Sequence, residues 1–245
     1  MRTINFAKRN FKEIIRDPIS VIFAVMLPLF LLYIFQQFKI PSQAYKLINF
    51  TPGVIIFSFS FLTLFTAMLV SKDRTTSLLI RLGVSPMRPI EYIIGYIISL
   101  IPIVVMQSTL IFILAVILGL DLSINIIFAI LVSIPISILF IGLGILIGSL
   151  FSEKASSGIS SIVIQLVCFT SGMYFEKELL GTTFSKICEI LPFSSSLTII
   201  KGVLNNNNII SVNNIILFII YLLITLILAS VVFNKGMTSD DKKEC

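Results

Sequence analysis

The sequence contains no histidine and no tryptophan, and only 12% of its 245 residues are charged. Without histidine the chain lacks the commonest metal ligand and the usual general base near neutral pH. Charged residues are about half as frequent as in soluble domains. Cysteine is scarce as well: Cys168, Cys188 and Cys245 form an odd, scattered set with neither a disulfide framework nor a CxxC metal site. No GxxxxGK[ST] phosphate loop is present, so ATP binding by that route is excluded. What takes up the composition instead is apolar: 57% of residues are hydrophobic, and mean hydropathy is +1.06. A folded soluble domain of this size still exposes much of its surface and has no means of hiding so much apolar area. Composition alone therefore excludes a soluble enzyme, a disordered chain and a disulfide-stapled secreted domain.

Six apolar runs are long enough for a helix to cross a hydrocarbon core, which takes about 20 residues. They cover 19–38, 52–70, 92–118, 123–150, 156–175 and 209–233, and none contains Lys, Arg, Asp or Glu. Continuous runs predict helices, since barrel strands would alternate in segments of about 10 residues. The first run is too long for a cleavable signal peptide and follows a charged segment. The expected fold is thus an all-α, polytopic integral membrane protein with six transmembrane helices in one domain spanning residues 1–245.

Net charge is +6, and its distribution sets the expected topology. The N-terminal tail, the 71–91 loop, the link at Lys154 and the C-terminal tail together hold 13 of the 18 Lys and Arg residues. The remaining 5, Lys39, Lys46, Lys177, Lys186 and Lys201, fall in the other connections. The positive-inside rule then places both termini in the cytoplasm of a multi-pass cell-membrane protein. The abundance of Asn and Ile, as in Asn205 to Asn208, fits an AT-rich bacterial genome.

Three connections have internal order. Residues 1–17 read as an interfacial amphipathic helix, with Ile4, Ala7, Phe11, Ile14 and Ile15 on one face and Lys8, Arg9, Lys12, Glu13 and Arg16 on the other. Such a helix anchors on anionic lipid, docks a partner, or does both. In the 71–91 loop, Thr75, Leu78, Leu79 and Leu82 fall at helical spacing, flanked by Lys72, Asp73, Arg74 and Arg81. An amphipathic helix there lies on the membrane or in a groove of a partner protein. Residues 176–208 carry two further periodic stretches, interrupted at Leu191-Pro192-Phe193 and each too short to span. They predict a short external helical hairpin.

Inside the spans, Gln107 and Gln165 are lone amides, suited to interhelical hydrogen bonds or to a substrate-facing role. Gly144 and Gly148 form a GxxxG pair, and Ser157, Gly158 and Ser161 give the fifth span a small-residue face. Close helix packing accounts for both patterns, within one chain or between two. No acidic or basic residue lies in any predicted span, whereas ion-driven carriers commonly place one there. Energy for any transport then has to come from outside the chain.

The stretch Arg9-Asn10-Phe11-Lys12-Glu13-Ile14-Ile15-Arg16-Asp17-Pro18 leads into a Pro28-containing first span. The stretch Lys72-Asp73-Arg74-Thr75-Thr76-Ser77-Leu78-Leu79-Ile80-Arg81-Leu82-Gly83-Val84-Ser85-Pro86 follows the second span, and Leu191-Pro192-Phe193 precedes the last. In order and spacing this set resembles the membrane subunit of type-2 ABC exporters, the ABC-2 permease family. Where the family commonly has an acidic-Arg-Glu cluster and a Gly before a Thr, this chain has Lys72-Asp73-Arg74-Thr75.

The resemblance implies a transport subunit that is not itself an enzyme, with no catalytic, metal or cofactor site. ATP and Mg would bind to two copies of a separate ABC ATPase, and a second permease subunit, identical or related, would complete the pathway. It also implies that a coupling helix over 74–82, carrying Lys72, Asp73, Arg74, Thr75, Leu78, Leu79, Arg81 and Leu82, contacts the ATPase. The 1–17 helix, with Arg9, Lys12, Glu13 and Arg16, becomes a connecting helix. Membrane lipid is the remaining partner, and nucleic acid is not one. The expected cargo is a lipophilic drug, an antimicrobial peptide or a lipid, moved outward, with resistance as its consequence. An ATPase-independent membrane immunity or resistance protein is the competing reading. An intramembrane enzyme lacks its usual His and carboxylate catalysts here.

Overall fold

The computed structural model describes residues 2–38, 42–75, 88–173, 181–205 and 212–240, with backbone only for 19–20, 182–184 and 236–240. These residues form nine α-helices: α1 (Arg2–Ile15), α2 (Pro18–Gln37), α3 (Leu47–Thr75), α4 (Pro89–Ile117), α5 (Ile124–Leu150), α6 (Glu153–Thr170), α7 (Thr182–Ile190), α8 (Pro192–Leu204) and α9 (Val212–Asp240). Among the described residues there is no strand, as expected for runs that satisfy every backbone hydrogen bond internally in lipid. The protein is an all-α membrane protein.

Each of the six apolar runs is helical over most of its described residues, but they are not equivalent. Four helices are long and apolar enough to cross a membrane: α3, α4, α5 and residues 212–235 of α9. α2, at 20 residues, just reaches the length a crossing helix needs. α6 opens on Glu153-Lys154 and stops at Thr170, so less of it is apolar than the 156–175 run suggests. Gly172, at φ +80°, takes the left-handed conformation that ends a helix here.

The long helices alternate in direction, which gathers one end of each into a common charged layer. That layer holds α1, the starts of α2, α4 and α6, and the ends of α3, α5 and α9. At the opposite end, Phe35 stacks on Tyr45 at 5.6 Å and Phe50 lies 5.2 Å from Phe35. The short pair α7 and α8 meets at Leu191, where Pro192 opens α8 without needing a backbone donor. α8 inserts against α3, α5 and α9.

α3 is the axle of the bundle. Its most apolar stretch is 83% buried, against 17% for α9. α3 packs on α2, α4, α5, α6 and α8. Its closest neighbour is α5, where Gly144 and Gly148 remove the side chains that would separate the backbones. A Cβ on Gly144 would sit 2.6 Å from the Thr63 carbonyl, and one on Gly148 would sit 2.6 Å from the Ala67 carbonyl. Thr63 Oγ1 donates across this seam to the Phe140 carbonyl at 2.9 Å. The GxxxG pair therefore closes a contact within one chain. α9 turns Ile216, Ile220, Leu223 and Ile227 outward, a face suited to lipid tails.

Candidate functional site

The charged layer is built from α1 upward. Its buried face is Phe6, Ala7, Asn10 and Ile14. Ile4 and Ile15, expected on that face, are exposed. The rotation has a local cause. Gly95 on α4 leaves a socket that the Phe6 ring fills; a Cβ there would come within 2.5 Å of the ring. Phe6 meets Tyr92 and Tyr96 edge-on, with centroids 5.3 and 5.1 Å apart. Periodicity placed Ala7 and Ile14 on the buried face correctly but passed over Phe6, whose ring in one socket sets the helix's rotation.

That rotation carries Arg9 to the end of α3. Arg9 Nη2 donates to Asp73 Oδ1 at 2.7 Å, and Nη1 donates to Oδ2 at 3.1 Å. This is the two-pronged pairing that suits a planar guanidinium to a carboxylate. Tyr96 on α4 donates its hydroxyl to Asp73 Oδ2 at 2.8 Å. Arg9 also bridges to Glu13 at 2.7 Å, and Lys72 reaches the other Glu13 oxygen at 2.8 Å. The Asp73 side chain is 1% exposed and that of Arg9 36%. Burial disfavours the charge on Arg9, but the hydrogen bond and charge of Asp73 outweigh it, so the guanidinium pKa is raised above its usual value. One buried carboxylate thus joins α1, α3 and α4.

The neighbouring residue grips the other side. Arg74 Nη1 donates to the carbonyls of Gly148 and Ser149 in the last turn of α5. Those carbonyls have no partner within their own helix, and a cation there also complements the helix dipole. Thr75, the last residue of α3, is exposed and donates to the Lys72 carbonyl at 3.0 Å.

The predicted site residues divide accordingly. Arg9, Glu13, Lys72, Asp73 and Arg74 come together, whereas Lys12 and Arg16, next to Arg9 and Glu13 on α1, stay exposed. Arg74 and Thr75 continue α3 and do not open a separate helix. Leu78, Leu79, Arg81 and Leu82 lie outside the described residues. Sequence reasoning ended the second span at 70; the helix runs on to Thr75 and buries Asp73. The signal was available, since no Gly or Pro breaks the chain between Val70 and Thr75. Tyr96 was missed because its partner is 23 residues away.

The two amides separate cleanly. Gln107 is buried, and its Nε2 donates to the Ala24 carbonyl at 3.3 Å, joining α4 to α2. It sits about 16 Å along α4 from Tyr96. Gln165 is exposed on α6, on the same outer face as Gly158 and Ser161.

A family model for ABC-2 type transporters matches residues 3–205, from α1 to the end of α8. The chain belongs to the ABC-2 type transporter family. No curated protein sequence matches it. The ABC-2 match makes the chain a membrane-embedded permease component of an ABC transporter, a class that works with an ABC ATPase. The whole Arg9–Asp73–Tyr96 cluster lies inside the matched ABC-2 region.

Proposed function

We propose that this ABC-2 chain is the permease subunit of an exporter, moving a lipophilic drug, an antimicrobial peptide or a lipid outward across a bacterial cell membrane. ATP is hydrolysed by two copies of a separate ATPase, and a second permease subunit, identical or related, completes the pathway. All six apolar helices cross the membrane, and the charged layer, with both termini, faces the cytoplasm.

The observation that carries this reading is the double grip at the end of α3. Asp73 holds α1 and α4, Arg74 holds α5, and the next residues of the chain are those assigned to the coupling helix. A push on that segment reaches four helices at once, because each grip is a directional, charge-assisted contact. Packed helices switch between discrete arrangements more readily than they bend, so the bundle moves as a unit between inward- and outward-open states. Gln165, Gly158 and Ser161 put small and polar groups on the exposed side of α6, which suits the pathway or the second subunit.

The test is reconstitution. An ABC ATPase encoded beside this chain should co-purify with it and drive ATP-dependent export from proteoliposomes. Leu78→Asp and Leu82→Asp should each abolish both capture and export. Export that persists without any ATPase would favour the immunity-protein reading and sink this one.

A further inference from the structure

Next to the Arg9–Asp73 pair, and sharing Glu13 and Lys72 with its cluster, a cleft of about 170 Å³ opens between α1, α2, α3 and α6. Its charged lining is Glu13, Asp17, Glu153 and Lys72, a formal sum of −2. Its apolar lining includes Val21, Phe65 and Met68. The two kinds of lining are graded along α3. Lys72 stands in the charged layer, with Met68 one turn deeper and Phe65 about 10 Å deeper.

We propose that this cleft binds the head of an amphipathic monocation, an alkyl- or arylammonium that arrives from the membrane layer beside the charged end. Three observations select that chemistry. The net negative lining disfavours phosphate, sulfate and carboxylate heads. The apolar wall gives a chain somewhere to lie, which a free metal ion or small polyamine would not use. The volume is below the several hundred Å³ typical of sites that enclose a drug-sized ligand. It therefore takes a head group and the first carbons of a tail, with the rest of the tail left in lipid. Glu13 is held by Arg9 and Lys72, so it supplies the rigid side of the cleft. Asp17, between α1 and α2, and Glu153, at the start of α6, place two further carboxylates on its lining. The proposal rests on the export reading only for its physiological meaning, as the substrate class presented to the permease. Binding itself belongs to this chain.

The absence of tryptophan supplies the test. Met68→Trp introduces a single indole at the apolar wall, with Val21→Trp as a second reporter should the first disturb folding. The full chain in phosphatidylcholine nanodiscs is titrated with N-dodecylpyridinium, a cationic amphiphile that quenches indole. A parallel titration uses N-dodecylacrylamide, a neutral quencher with the same tail. We expect saturable quenching by the pyridinium, with an apparent affinity about tenfold better than the neutral probe's. Asp17→Asn combined with Glu153→Gln should erase that preference. Ile219→Trp, on the exposed face of α9, should show only linear quenching from lipid partition. Equal curves for the two probes at Met68→Trp, or a preference that survives loss of both carboxylates, would overturn the proposal. Because no ATPase is present, that failure leaves ATPase capture and ATP-driven export to stand or fall separately.

Discussion

α3 is held in two different ways along its length. In its middle, Gly144 and Gly148 let the backbone of α5 approach that of α3, and the hydrogen bond from Thr63 to Phe140 crosses that seam. At its end, Asp73 and Arg74 hold α1, α4 and α5 through charged hydrogen bonds. The first contact depends on shape, since a close-packed seam loses dispersion as soon as it opens. The second is a set of donors and acceptors that can exchange partners. A rigid shaft with a polar joint at one end is what transmission of an external stroke requires.

Substitutions can break each half of this comparison. The largest effect should come from Arg9→Ala. It strands the Asp73 carboxylate, which is 1% exposed, and should cost about 3 kcal/mol in an SDS-titration unfolding assay. Gly148→Ala comes next. Its new Cβ meets the Ala67 carbonyl and Val70 Cβ, at 2.6 and 2.8 Å, and forcing the helices apart should cost about 2 kcal/mol in the same assay. Asp73→Asn should be milder than Arg9→Ala, at about 1 kcal/mol, because the part-exposed guanidinium keeps Glu13 and water. If Asp73→Asn proves costlier than Arg9→Ala, the cluster is not organised around the buried carboxylate. Gln107→Leu should be the smallest. It loses one hydrogen bond worth about 0.6 kcal/mol but also removes a buried amide oxygen that has no partner in the structure.

Much of the fold was legible in the sequence because lipid leaves few options. An uncharged apolar run must satisfy its own backbone, so each of the six runs is helical over most of its described residues. The number of membrane-crossing helices was less legible. α6 spends its first residues on Glu153-Lys154 and its last on a turn at Gly172, and a window of apolar residues registers neither. In the site, the charged residues of 72–74 stood out, yet their roles did not. The socket at Gly95, the rotation of α1 and the reach of Tyr96 are tertiary facts, set by residues far apart in the chain. Asp73 looked like an outward flank of the coupling helix because charge in sequence reads as exposure. Its burial depends on Arg9, 64 positions earlier.

The central claim is that force at the end of α3 reaches the bundle through the Arg9–Asp73 pair. The direct measurement compares transport per ATP hydrolysed in proteoliposomes for Arg9→Asp, Asp73→Arg and the double exchange, each with the ATPase bound. Each single change should lower transport per ATP roughly tenfold, equivalent to about 1.4 kcal/mol of coupling, and the exchange should restore most of it. Unchanged transport per ATP in the single variants, or an exchange no better than either, would contradict the account.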